Sequence, residues 1–170
     1  MDVSLLAARL IHVVLGVFWA GTLIFTAVFL LPAMRDAGPD GAKVGAALMR
    51  RRFMDVLPPI AGLTVLSGLY LYWRASVGFS SAYMRSAPGM AYGLGGAAAV
   101  LALVLGLAIV RPSMLQAGAL SQAAALAAGP ERDAQLATAQ ALRARAAAAG
   151  KIIAGLLILA AVTMAVGRYL

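Results

Sequence analysis

The chain has one histidine, His12, within a run from Leu10 to Met34 that carries no charged residue. An imidazole in apolar surroundings either bonds a nearby carbonyl or hydroxyl as an ordinary packed side chain, or acts as a metal ligand. At helical spacing His12 shares one face with Gly16, Trp19, Leu23 and Thr26, a polar, glycine-notched stripe that should point toward other helices. The other groups with suitable chemistry are the thioethers of Met84, Met90 and Met164 and the guanidiniums of Arg9, Arg74 and Arg85. One imidazole, thioethers and a rim of arginines suit two cofactors. The first is haem b, with His12 on the iron, Met90 or Met164 (or His12 of a second copy) opposite, and arginines on the propionates. The second is Cu(I), which imidazole and thioether select. Each residue also has a plainer role: methionines fill cores, arginines snorkel to headgroups, and a lone histidine is satisfied by backbone.

These residues are positioned by a chain that is 63% hydrophobic and only 12% charged, against the ~25% charged residues of soluble domains. Continuous apolar runs at about 5–31, 57–77, 88–110 and 151–168 approach or exceed the ~20 residues a helix needs to cross a bilayer. They lack the alternation and the number of a β-barrel. The expected fold is all-α, an integral membrane four-helix bundle forming one domain over 1–170. Gly38-Pro39-Asp40 and Gly129-Pro130-Glu131 read as helix starts, extending the helices beyond the membrane. Helix two is then predicted to run from about 39 to 77, kinked at Pro58-Pro59. The alanine-rich stretch 111–150 should form a helical hairpin. Gly89, Gly93 and Ala97, like Gly16 and Ala20, are spaced for close helix contact.

Arg35, Lys43, Arg50, Arg51, Arg52, Arg111, Arg132, Arg143, Arg145 and Lys151 belong to the first and third connections, against Arg9, Arg74, Arg85 and Arg168 on the other side. That asymmetry predicts an inner-membrane protein with both long connections in the cytoplasm and both termini outside. His12 then lies about 10 Å below the outer surface. The first apolar run is too long for a cleavable signal and reads as a retained helix. The net charge of +8 follows topology rather than nucleic acid, for no aromatic-interleaved basic surface exists. With no cysteine, iron–sulfur, thiolate-zinc and c-type haem sites are excluded. No acid or lysine interrupts the span interiors, which argues against ion-coupled transport. No nucleophile–base pair is available for hydrolysis. Expected partners are lipid, a second copy of the chain, and a membrane or redox partner protein. An accessory subunit in which His12 merely packs is the non-catalytic alternative.

The first eighty residues resemble the copper-resistance D-like and HemJ-like superfamily of small bacterial membrane proteins. The resemblance rests on Leu10-Ile11-His12 through Trp19 to Phe25, then Met49-Arg50-Arg51-Arg52-Phe53, Leu57-Pro58-Pro59 and Leu66-Ser67-Gly68-Leu69. It implies a haem-ligating role for His12, or copper handling on the outer face. The third-helix lysine tied to protoporphyrinogen oxidase activity in HemJ-like proteins has no counterpart, since no lysine lies between Lys43 and Lys151.

Overall fold

Asp2 starts the first helix by accepting hydrogen bonds from the amides of Ser4 and Leu5 at 3.0 and 3.2 Å, two of the four N–H groups a helix start leaves open. The computed structural model describes residues 2–170 and is helical throughout, with no strand among the described residues. The elements are α1 (Val3–Asp36), α2 (Pro39–Arg50), α3 (Phe53–Ala75), α4 (Ser81–Met84), α5 (Ala87–Ala124) and α6 (Gly129–Tyr169). Of these, α1, α3, α5 and α6 are long and apolar enough to cross a membrane.

The predicted second helix differs from the one observed. The chain breaks at Arg51-Arg52, where Arg52 takes the left-handed conformation (φ 58°), and Pro58-Pro59 lie inside the helix that follows. Pro58 removes the N–H that would bond the Met54 carbonyl four residues earlier. Arg111 of α5 replaces it, donating from Nε at 3.3 Å and reaching the Asp55 carboxylate at 3.2 Å. With that carbonyl satisfied from outside, the prolines sit within α3. The expected long last helix is present, starting at Gly129 (φ 62°) with Pro130 behind it.

Prolines also shape α1 and α5. Each contains one π turn, Thr26–Leu30 and Gly106–Val110, closed by Leu31 N–H onto Thr26 and by Arg111 N–H onto Gly106. Pro32 and Pro112 follow directly. A proline ring crowds the carbonyl four residues back, and the wider turn ahead of it makes room. The two segments repeat each other: Pro-x-Met-x-x-Ala-Gly stands at 32–38 and again at 112–118. Pro39 ends the first copy, because it disfavours helical backbone at Gly38. Ala119 lets the second continue.

The return helices repeat as well. Ile60-Ala61-Gly62-Leu63-Thr64-Val65-Leu66 in α3 matches Ile153-Ala154-Gly155-Leu156-Leu157-Ile158-Leu159 in α6. Ala61 and Ala154 are both buried, as are Thr64 and Leu157. Two helical pairs, α1 with α3 and α5 with α6, thus carry the same short motifs at matching places. Packing follows the same rule: α1 also touches α6, and α5 touches α3, one contact made twice under exchange of the copies. Trp19, Ala61, Ala98, Ala99, Ala102, Ile153, Leu157 and Ala160 form the shared core.

Beyond the core, α5 and α6 continue as a hairpin closed through Ser113, Ala117 and Ala124 against Ala139 and Ala146, all buried. On α6 the buried positions Ala139, Ala146, Ile153 and Ala160 recur every seventh residue, the period of left-handed helix packing. Methyl-sized side chains let the backbones approach closely. Replacing Ala139 (0% exposed) by Leu should cost about 1–3 kcal/mol through overpacking. Leu at the adjacent exposed Gln140 should be nearly neutral. Denaturant unfolding of the two variants in detergent would separate them.

Candidate functional site

His12 Nδ1 lies 2.8 Å from the carbonyl oxygen of Thr64. A carbonyl only accepts, so in the neutral ring Nδ1 carries the hydrogen and Nε2 keeps the lone pair. Thr64 is held in turn: its hydroxyl donates to Ile60 at 2.9 Å, and the Ser67 hydroxyl, which donates to the Leu63 carbonyl at 2.6 Å, stands 3.0 Å from the same Thr64 carbonyl. The ring lies against Gly68, where a Cβ would stand 2.7 Å from Cε1 and 3.0 Å from Nδ1. A glycine is required there for the imidazole to reach its acceptor. One helix thus supplies the ring, and its partner supplies both the acceptor and the space.

His12 lines a half-open cavity of about 1290 Å³ between the four long helices, at the end where both termini lie. This exceeds the ~300–1,000 Å³ of ordinary small-molecule sites. Its walls are mainly apolar and aromatic, with Tyr72, Tyr83 and Tyr92 contributing phenols and Arg9, Arg74 and Arg168 guanidiniums. Tyr72 donates to the Gly89 carbonyl at 3.0 Å, tying α3 to the start of α5. Burial raises the Tyr83 phenol above its ordinary value, and the neighbouring Tyr92 and Tyr72 add to the effect.

The arginines differ in what they are free to do. Arg74 is held by the Asp2 carboxylate at 2.6 Å and the Tyr70 hydroxyl at 3.0 Å, and Tyr70 is within 2.9 Å of the Ser4 hydroxyl. Arg9 and Arg168 form no ion pair among the described residues. Hydrogen bonds from Ser4, then Arg74, hold the Asp2 carboxyl down at about 2.

Of the residues singled out from sequence, His12, Arg9, Arg74 and Met164 share the cavity wall, together with Met84. Met90 is 58% exposed and points away. Arg85 is exposed in the short connection ahead of α5, and neither residue lines the cavity. Trp19 is inward as expected but fills the core. The contact ladder predicted along Gly89, Gly93 and Ala97 is displaced: α5 buries Gly89, Gly95, Ala98, Ala99 and Ala102, while Gly93 and Ala97 face the cavity. Alanine-rich sequence offers small residues on every face, so spacing alone does not choose between them. Sequence reasoning passed over Tyr83, Tyr92 and Arg168 as site residues. For the last two a signal existed, the internal repeat, which sets them opposite His12 and Ala75. No group of three or more His, Cys, Asp or Glu capable of holding a metal ion occurs among the described residues.

Comparison with family models, with curated proteins and with solved structures finds no match to this chain.

Because the chain has one histidine, its ring nitrogens can be assigned without mutagenesis. Nitrogen-15 NMR should show a protonated Nδ1 and an unprotonated Nε2 in the neutral ring. Gly68→Ala should abolish that preference by pushing the ring off Thr64. The Asp2 carboxyl, lowered from 3.8 to about 2, contributes stability that is fully present above pH ~4 and lost as the pH falls through about 2. Hydrogen exchange at the Ser4 and Leu5 amides should accelerate over that window, and Asp2→Asn should remove the dependence.

Proposed function

We propose that the chain is a multi-pass membrane protein, a four-helix bundle of the copper-resistance D-like and HemJ-like superfamily, that binds or handles haem b in a redox role through His12. The membrane reading is supported by large apolar side chains left outward along the long helices, among them Val17 at 70%, Phe29 at 62% and Leu66 at 64% exposure. Water would not tolerate such continuous surface, whereas lipid requires it. The ten basic residues of the first and third connections favour placing that end in the cytoplasm and both termini outside the inner membrane.

The observation that carries the haem reading is the state of His12. One ring nitrogen is fixed to a backbone carbonyl, the arrangement that orients metal-ligating histidines, and the other is unpaired on the wall of a large apolar cavity. The fit extends to charge. Arg9 and Arg168 are free to pair with carboxylates at the mouth, while Arg74 is already neutralised by Asp2. A bound haem would supply one-electron chemistry; the protein's part is to orient the imidazole, exclude water and bind the carboxylates. Cu(I) handling is the second reading, favoured by Met84 and Met164 lining the same cavity as His12, two thioethers and an imidazole of suitable softness.

The deciding measurement is an absorption spectrum of detergent-purified protein, with a pyridine haemochrome assay. A Soret band is expected, with haem retention falling at least ~10-fold in His12→Ala, equivalent to about 1.4 kcal/mol. Arg9→Ala should weaken retention less, because the cavity keeps Arg168. A protein that stays colourless after haem is supplied would sink the reading and direct metal analysis to copper.

A further inference from the structure

The internal repeat places a second residue in the position of His12. The register that pairs Pro32 with Pro112 and the two π turns with each other also pairs Gly16 with Gly96, Val13 with Gly93 and His12 with Tyr92. The register that pairs Ile60 with Ile153 pairs Leu71 with Met164 and Ala75 with Arg168. Val13 and Gly93, His12 and Tyr92, Leu71 and Met164, and Ala75 and Arg168 all line the one cavity. Four equivalent pairs thus stand on the wall of a cavity that lies between the two helical pairs.

A ring-on-glycine contact occurs in both pairs, at different registers: His12 lies on Gly68 of α3, whose counterpart in the repeat is Ala161, and Tyr92 lies on Gly167 of α6, where a Cβ would stand 3.0 Å from Cε1 and Cζ. Each copy presents one ring to the cavity over a glycine of its own return helix. The ends of the two rings differ. His12 has one nitrogen fixed, whereas the Tyr92 hydroxyl makes no hydrogen bond among the described residues. The residue is partly buried on the cavity wall, and its hydroxyl is uncommitted to any protein partner there.

Resting on the haem reading above, we propose that Tyr92 is the iron-binding group opposite His12. A single haem would then be held between the two copies, with imidazole on one face and the phenol oxygen on the other. Tyr92 would hold ferric iron as a phenolate, its proton passing to solvent with no change of oxidation state. Arg168, one residue beyond the glycine that carries the Tyr92 ring, stacks on Tyr169 at 4.9 Å but has no carboxylate partner among the described residues, and would bind a carboxylate on that side. Anionic oxygen ligands favour ferric over ferrous iron, so the pair makes the site a poor oxidant compared with the Met-ligated alternative.

The test titrates ferric haem into the purified full-length chain and reads the spectrum and the reduction midpoint rather than turnover. Wild type should show a Soret band together with a phenolate-to-iron charge-transfer band. Tyr92→Phe keeps the ring on Gly167 and should retain the Soret band, lose the charge-transfer band and shift the midpoint upward. Tyr92→His should convert the spectrum to that of a low-spin bis-imidazole haem with sharp reduced α and β bands, a gain that a misfolded variant cannot produce. A Soret band in wild type with an unchanged spectrum and midpoint in Tyr92→Phe would overturn the proposal and leave the haem reading standing. So would failure of Tyr92→His to gain the bis-imidazole spectrum. No Soret band in wild type would remove both.

Discussion

The contact on which the site depends is the missing side chain at Gly68. Without a Cβ there, the His12 ring can lie against α3 and reach the Thr64 carbonyl at 2.8 Å. With one, the ring and the helix could not both stay where they are. The bond does two things together: it joins α1 to α3 across an apolar contact, and it fixes which nitrogen keeps its lone pair. A buried polar group must find a partner, and here the partner it finds leaves the chemically useful atom free. The same close approach is used elsewhere, by Gly16 against Thr64 and by Gly167 against Tyr92.

The second organising feature is how the chain handles proline. Pro32 and Pro112 are accommodated by widening the turn before them, Pro58 by an arginine from another helix. Each solution keeps an apolar helix continuous while satisfying its backbone, a strict requirement where water is scarce. The Arg111 contact lies at the opposite end from the cavity and links the two copies there, as Tyr72 with Gly89 links them beside the cavity. Opposite ends of α3 and α5 are therefore held by polar contacts and their middles by alanine.

The cavity lies where two helical pairs with matching motifs meet. Four equivalent pairs of residues stand on its wall, and because their side chains differ the site is asymmetric. One side has an imidazole with Leu71 and Ala75; the other has a phenol with Met164 and Arg168. Charge is divided in the same way. Arg74 is bound by Asp2, so the free cations of the cavity wall come from Arg9 and Arg168.

Much of this was legible in the residues. The four apolar runs, the long last helix beginning at Gly129, the alanine hairpin and the inward face of His12 and Trp19 follow from period, length and capping, which are local properties of the chain. His12 and the arginines around it were identifiable because such groups are rare in apolar sequence. Tertiary structure decided what depends on neighbours distant in the chain. It split the expected second helix at Arg51-Arg52, where Arg52 is left-handed, and it satisfied the carbonyl that Pro58 leaves open through Arg111. It turned Met90 outward and put Trp19 in the core, because in an alanine-rich helix the packing face is chosen by the partner. It fixed the ring nitrogen of His12 through Thr64, and it brought Tyr92 and Arg168 to the same cavity. Sequence determines which residues can do chemistry and which helices carry them; only the packing of one helical pair on the other determines which of them meet.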